Sequence, residues 1–128
     1  MKYLLDTATF IWIMNDQPEK ISPQALEVIQ EREDVFLSAV SPWEIAIKYS
    51  IGKLEVSEKP KTLLPSLVLK MGLKQLPVTH RHALEVASLP KHHNDPFDRL
   101  LVSQCRLEGM ILISPDLFLK KYKIKMIW

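Results

Sequence analysis

The stretch His92-His93-Asn94-Asp95-Pro96-Phe97-Asp98-Arg99-Leu100-Leu101 sets the reading of the whole chain. Asp95 suits an N-cap, and Pro96 suits the first helical position, where the missing N–H has no intrahelical partner to lose. The helix begun here carries Asp98 in its first turn, followed by an apolar face of Leu101, Val102 and Cys105. Gly109 is its C-terminal signal, just after Glu108. Met110-Ile111-Leu112-Ile113 comes next as a continuously apolar run, the pattern of a strand buried on both faces.

The same grammar recurs outward from this helix. Tyr3-Leu4-Leu5 is a short apolar strand ended by Asp6, and Val35 to Val40 is a second strand. Leu76-Pro77-Val78 is a brief third, whose proline marks an edge or a strand start. Lys123 to Trp128 partly alternates and reads as the last strand.

Helices fill the gaps. Thr7 to Met14 is broken by Asn15-Asp16-Gln17-Pro18, and Ser22-Pro23 opens a helix with Ala25, Leu26 and Ile29 inward. Ser41-Pro42-Trp43-Glu44 matches a capping box, with serine at the N-cap and glutamate at N3, opening a helix from Trp43 to Ser50. Pro60 and Pro65 break the next pattern, leaving a short helix from Leu67 to Met71 ended by Gly72. Thr79 caps another helix through Leu84, Val86 and Ala87, closed by Pro90.

Strands alternating with helices imply an α/β fold with a mainly parallel central sheet, and right-handed crossovers place helices on both of its faces. The helices after Asp6 and after Ser41 are too apolar for one inward stripe, so each is covered on more than one side, with a protein partner as one possible cover.

The chain has 128 residues, enough for one domain spanning 1–128 with a single real core. Its 47% apolar and 25% charged content is that of a soluble globular protein. One cysteine, Cys105, excludes an intrachain disulfide and favours a reducing compartment. An acid at position 6 comes too early for a signal peptide, and no apolar run is long enough to span a membrane, so a cytoplasmic location is expected. A net charge of +2 permits an anionic partner without demanding one.

Four acids fall at element boundaries. Asp6 follows the first strand, Glu44 opens the helix after the second, Asp98 begins the central helix, and Asp116 follows Met110–Ile113. In a parallel sheet the strand-to-helix junctions lie along the carboxyl edge, where such folds bind ligands. Glu44 joins that edge only if its helix enters from the same side. Each acid also has a local reading, as a cap or as a complement to a helix dipole. Asp6 resists it most, because a carboxylate ending an apolar strand is costly unless paired or bound to a cation.

Several carboxylates close together repel, and some stay protonated. Hard divalent cations such as Mg²⁺ or Mn²⁺ remove that conflict, because they prefer oxygen ligands and retain waters. Such ions activate water and stabilise the oxygens of an in-line phosphoryl displacement. The pattern therefore predicts metal-dependent phosphodiester hydrolysis.

Leu4-Leu5-Asp6-Thr7, Ser41 to Lys48, Gly52-Lys53-Leu54, His92 to Leu101 and Ser114-Pro115-Asp116 resemble, in order and over essentially the whole chain, the PIN-domain ribonucleases. More narrowly, the chain resembles the VapC-type toxins of bacterial toxin–antitoxin pairs. The resemblance implies a PIN-like three-layer α/β/α sandwich and a Mg²⁺- or Mn²⁺-dependent endoribonuclease toxin. It also implies inhibition by a small cognate antitoxin, and a homodimer. Asp6, Glu44, Asp98 and Asp116 match the acidic site. By this likeness Asp6 and Asp98 are the principal metal ligands, Asp116 supports the metal directly or through water, and Glu44 helps position the attacking water. Relatives often carry histidine where this chain has Ala8, a departure expected to alter substrate contacts or packing. Residues 115–122 are also diverged, which weakens the match at Asp116.

Other residues carry competing readings. Asp95 is either an N-cap or a further ligand. Lys48, four residues after Glu44, forms a helix ion pair or touches phosphate, the pair being the simpler reading. Arg99 binds phosphate or pairs with an acid. His92 and His93 invite a zinc site, but the three or four N/S ligands at recognisable spacing are missing. Lys120, Lys121, Lys123 and Lys125 read as a solvated face protecting an edge strand. Trp12 and Trp43 read as core or partner packing before base stacking.

A phosphatase of the haloacid dehalogenase type needs a second aspartate where Ala8 stands. A non-catalytic RNA- or protein-binding module of the same fold is the alternative from a different class.

Overall fold

A computed structural model describes residues 1–128. Five short strands, β1 (Tyr3–Leu5), β2 (Val35–Ser38), β3 (Lys74–Leu76), β4 (Ile111–Ile113) and β5 (Met126–Ile127), form one sheet in the order β3-β2-β1-β4-β5, with every pair parallel. Six α-helices connect them: α1 (Thr7–Met14), α2 (Pro23–Glu31), α3 (Val40–Ser50), α4 (Pro60–Met71), α5 (His80–Glu85) and α6 (Pro96–Glu108). Short 3₁₀ segments lie at Pro18–Lys20, Val86–Ser88 and Leu117–Tyr122.

Alternation along each strand sorts the core into two layers. Tyr3, Leu5, Val35, Leu37, Ile111 and Ile113 face one cluster with Phe10, Ala25, Ile29, Ile45 and Leu64. Leu4 and Leu112 face the other, with Leu101, Val102, Cys105, Leu119 and Tyr122. The sheet is thus buried on both faces in a three-layer α/β/α sandwich, as the doubly apolar strands require.

The chain starts at the centre, steps outward from β1 to β2 to β3, then returns across β1 to β4. The direction of travel reverses between β1 and β4. Such a switch point opens a crevice at the carboxyl ends of its two strands.

Local differences from the sequence reading have physical causes. The capping box at Ser41 does not form: α3 begins at Val40, its N-cap Ala39 is already helical, and the Ser38 hydroxyl accepts the Val40 N–H at 3.1 Å in its place. Pro42 is the third helical residue, still within the turn whose N–H groups have no intrahelical acceptor, so it interrupts nothing. Ser41 instead places its hydroxyl 2.8 Å from that of Thr7, tying α3 to α1.

The helix expected over 67–71 is the last part of α4, which starts at Pro60 and contains Pro65. Proline at N1 promotes a start, and Pro65 lies on the exposed side while Leu64 is buried. Gly72 ends α4 in the left-handed conformation, at φ 68°. β3 stops at Leu76, so Pro77 lies just beyond this edge strand. The helix capped by Thr79 is short, and its capping box uses His82 in place of an acid.

α1 carries Phe10 and Met14 inward, and Ile11, Trp12 and Ile13 pack half-buried around the same cluster. α6 has the expected bounds, N-cap and glycine stop. No helix is long and apolar enough to cross a membrane.

Candidate active site

Asp6 stands at the switch point. Its backbone N–H donates to the Ile113 carbonyl at 3.1 Å, and its side chain caps α1 by accepting the Thr9 N–H at 2.8 Å. The residue is buried, and that burial raises its pKa above the ordinary carboxylate value. Hydrogen bonds from Ser114 and Thr9 oppose the rise, and the charge of Asp116 adds to it. Asp116 is the exposed N-cap of the 3₁₀ segment after β4, accepting from the Phe118 N–H at 3.0 Å. Two acids from adjacent strand ends therefore share one field.

Glu44 and Asp98 make the second half of the edge. α3 follows β2 directly, so it enters from the carboxyl side, and Glu44 is buried one turn in. Lys48 donates to Glu44 Oε2 at 2.5 Å, the ion pair its spacing implied. Asp98 arrives by another route, since α6 is preceded by α5 and a loop and not by a strand. α6 runs into β4 through Gly109, which leaves its first turn at the carboxyl edge. Burial first, then the neighbouring charge of Asp95, raises the Asp98 pKa to about 6. His93 opposes that rise and Glu44 adds to it. Asp95 itself caps α6, accepting from the N–H groups of Phe97 and Asp98 at 2.9 and 3.2 Å.

Other expected residues resolve clearly. Arg99 is buried and meets no carboxylate: it donates to the carbonyls of Val86, Leu89, Pro90 and His93 and to the Tyr122 hydroxyl. It clamps the loop ahead of α6. His93 reaches Asp98 Oδ2 at 3.4 Å and the Tyr122 hydroxyl at 2.6 Å. Trp43 is 54% exposed beside Phe97 (ring centroids 5.1 Å apart), whereas Trp12 packs on Trp128. Cys105 is buried, its thiol pKa pushed up to about 12, so it is chemically quiet.

Tyr122 and Ser114 are the neighbours that sequence reasoning did not single out. Only Ser114, inside the Ser114-Pro115-Asp116 motif, left a signal there.

The donor set suits a hard cation. Asp6 and Asp98 are both strained by burial and by a neighbouring carboxylate, a cost that a divalent ion relieves, and all four groups offer oxygen. No group of three or more Asp, Glu, His or Cys side chains is placed to hold a metal ion together. Ions such as Mg²⁺ keep several waters and need only one or two carboxylates at a time.

Residues 3–125 match the family model of the PIN domain. The chain belongs to the PIN domain family. A relative in sequence is Ribonuclease VapC16 of Mycobacterium tuberculosis, 39% identical over 56 residues. That match covers 43% of this chain and spans only 40% of the relative's length.

Among solved structures, VapBC2 from Rickettsia felis, bound to a DNA fragment from its promoter, superposes with a TM-score of 0.75 at 15% identity, covering 99% of this chain and 98% of that one. DNA-bound VapBC from Salmonella typhimurium gives 0.70 at 18% identity, covering 99% and 97%. These likenesses establish the three-layer PIN fold.

Proposed function

We propose that this PIN-domain protein is a divalent-metal-dependent endoribonuclease that acts as a toxin and is neutralised by a small cognate antitoxin. What supports the reading is Asp6 beside Asp116 and Asp98 beside Glu44 at the carboxyl ends of the strands, with Asp6 and Asp98 both held above their ordinary pKa by burial. The VapC16 ribonuclease relative supports the substrate class, and the VapBC likenesses support the antitoxin. Work in the cytoplasm and assembly as a homodimer complete the reading.

A bound Mg²⁺ or Mn²⁺ supplies charge neutralisation at phosphoryl oxygens and a lowered water pKa. Asp6 and Asp98 would hold the ion, and Asp116 would support it. Glu44, offset by Lys48, would orient the water whose oxygen bonds to phosphorus as the P–O bond to the leaving nucleotide breaks, a proton from that water passing to the departing oxygen through solvent. Ala8 is exposed beside Asp6, so the departure from the common histidine falls where it alters substrate contact and not the core.

The test uses purified, antitoxin-free protein, a panel of RNAs, and Mg²⁺, Mn²⁺ or EDTA, with Asp98→Asn alongside. Cleavage that needs metal and is lost in Asp98→Asn is expected. Cleavage surviving the substitution would place the site elsewhere. The lack of a closed three-donor cluster favours one second reading, a non-catalytic RNA- or protein-binding module. That reading predicts RNA retention with no cutting under any metal.

A further inference from the structure

Arg99, Tyr122 and His93 form a hydrogen-bonded chain that ends on Asp98. A guanidinium has donors only. Arg99 Nη1 donates to the Tyr122 hydroxyl oxygen at 3.1 Å and to the Pro90 carbonyl at 2.9 Å. The phenol oxygen thus accepts from one side, and its own hydrogen goes to the other neighbour in reach, His93 Nδ1 at 2.6 Å. An imidazole whose Nδ1 accepts is neutral with its hydrogen on Nε2. Nε2 lies 3.4 Å from Asp98 Oδ2, and Oδ1 has no hydrogen-bond partner in the protein.

We infer that His93 is a positioning residue: its Nε2–H holds Asp98 Oδ2 and leaves Oδ1 to a divalent cation, in an orientation set from the core by Arg99 through Tyr122. This rests on the metal-dependent reading of the acids given above. The anchor is rigid, because Arg99 and Tyr122 are buried 8% and 3% exposed, and Arg99 is fixed by several carbonyls. The His93 ring also lies against Tyr122 and Phe118, at 5.5 and 5.6 Å between centroids, which restricts its rotation. Asp98 sits half-buried on the first turn of α6, where an unheld side chain would sample several rotamers and lose entropy on ligation. Outer partners of metal ligands commonly carry 10–100-fold of metal affinity.

Imidazole ¹⁵N spectra of the metal-free protein test the chain, with the His93 signals identified by their loss in His93→Gln. The expected wild-type signature is a neutral ring protonated on Nε2, shifting toward a tautomer mixture in Tyr122→Phe, which keeps the ring packing. A ring protonated on Nδ1, or a spectrum unmoved by Tyr122→Phe, would overturn the inference.

Calorimetric Mn²⁺ titration is the second arm. His93→Leu is expected to weaken binding about 10–100-fold, with His93→Gln, which retains a donor, recovering part of the loss. Equal binding by His93→Leu and wild type would sink the positioning role alone. A wild type that binds no Mn²⁺ would sink both this role and the metal-dependent reading beneath it.

Discussion

Asp6 and Asp98 are both pushed above the carboxylate range by burial, but different parts of the molecule hold them. Asp6 is fixed by backbone: the end of β1, a hydrogen bond to β4 and the first turn of α1. Asp98 is steadied by side chains from separate segments, His93 on a loop, Arg99 behind it and Tyr122 beyond β4. One half of the acidic edge is therefore a consequence of the sheet, whereas the other has to be assembled around a helix start. Damage to the first half should appear in folding as well as chemistry, and damage to the second should separate the two.

The largest effect expected is on catalysis. Asp6→Asn and Asp98→Asn each remove a proposed ligand charge while keeping shape, and cleavage rates should fall roughly 10²–10⁴-fold, since such an ion supplies several kcal/mol of transition-state stabilisation. Single-turnover cleavage by both variants checks this. If Asp98→Asn alone were harmless, the two halves would not form one site.

Next is stability on the Asp98 side. Arg99→Met strips donors from the carbonyls of Val86, Leu89 and Pro90, and should cost about 2 kcal/mol in urea unfolding. A phosphate-binding arginine would cost activity and leave the denaturation midpoint in place.

A smaller stability effect distinguishes the cap from the charge at Asp6. Asparagine caps helices as well as aspartate does, so Asp6→Asn should keep the α1 start, whereas Asp6→Ala should lose about 1 kcal/mol. Thermal unfolding of the pair, both of them inactive, measures this difference.

The contrast also explains what was legible in the sequence. An apolar triplet followed by Asp6, and a cap-proline pair before Asp98, are local patterns, and the structure gives α1 and α6 the starts they imply. The parallel sheet was legible for the same reason, because Tyr3-Leu4-Leu5 and Ile111-Leu112-Ile113 are apolar at every position. Ser41 misled because a proline after a serine reads as N1, and only tertiary placement shows it to be N3. Arg99 stayed ambiguous because its acceptors are carbonyls, which no side-chain pattern records. Tyr122 was invisible in a lysine-rich stretch, 29 positions from His93, since contact across that separation depends on how the 3₁₀ turns after β4 fold back.

The pH dependence of folding falls on Asp98. Its folded pKa is about 6 against an ordinary 3.8, so between roughly pH 4 and pH 6 the folded protein binds more protons than the unfolded chain. The slope of stability with pH is then negative: metal-free protein loses stability as pH rises through that window and levels off above it. Burial of Asp6 acts in the same direction. Asp98→Asn removes one of the two contributions. It should melt with the wild type near pH 4 and a few degrees above it by pH 7, when both are scanned in EDTA. The difference between the two proteins is the quantity to read, because contributions from groups remote from Asp98 cancel in it. Mg²⁺ should shrink it by binding the ionised carboxylate that the substitution lacks, raising the wild-type melting point most above pH 6. If the two curves ran parallel from pH 4 to pH 7, Asp98 would carry no folding penalty, and the acidic edge would be strained at Asp6 alone.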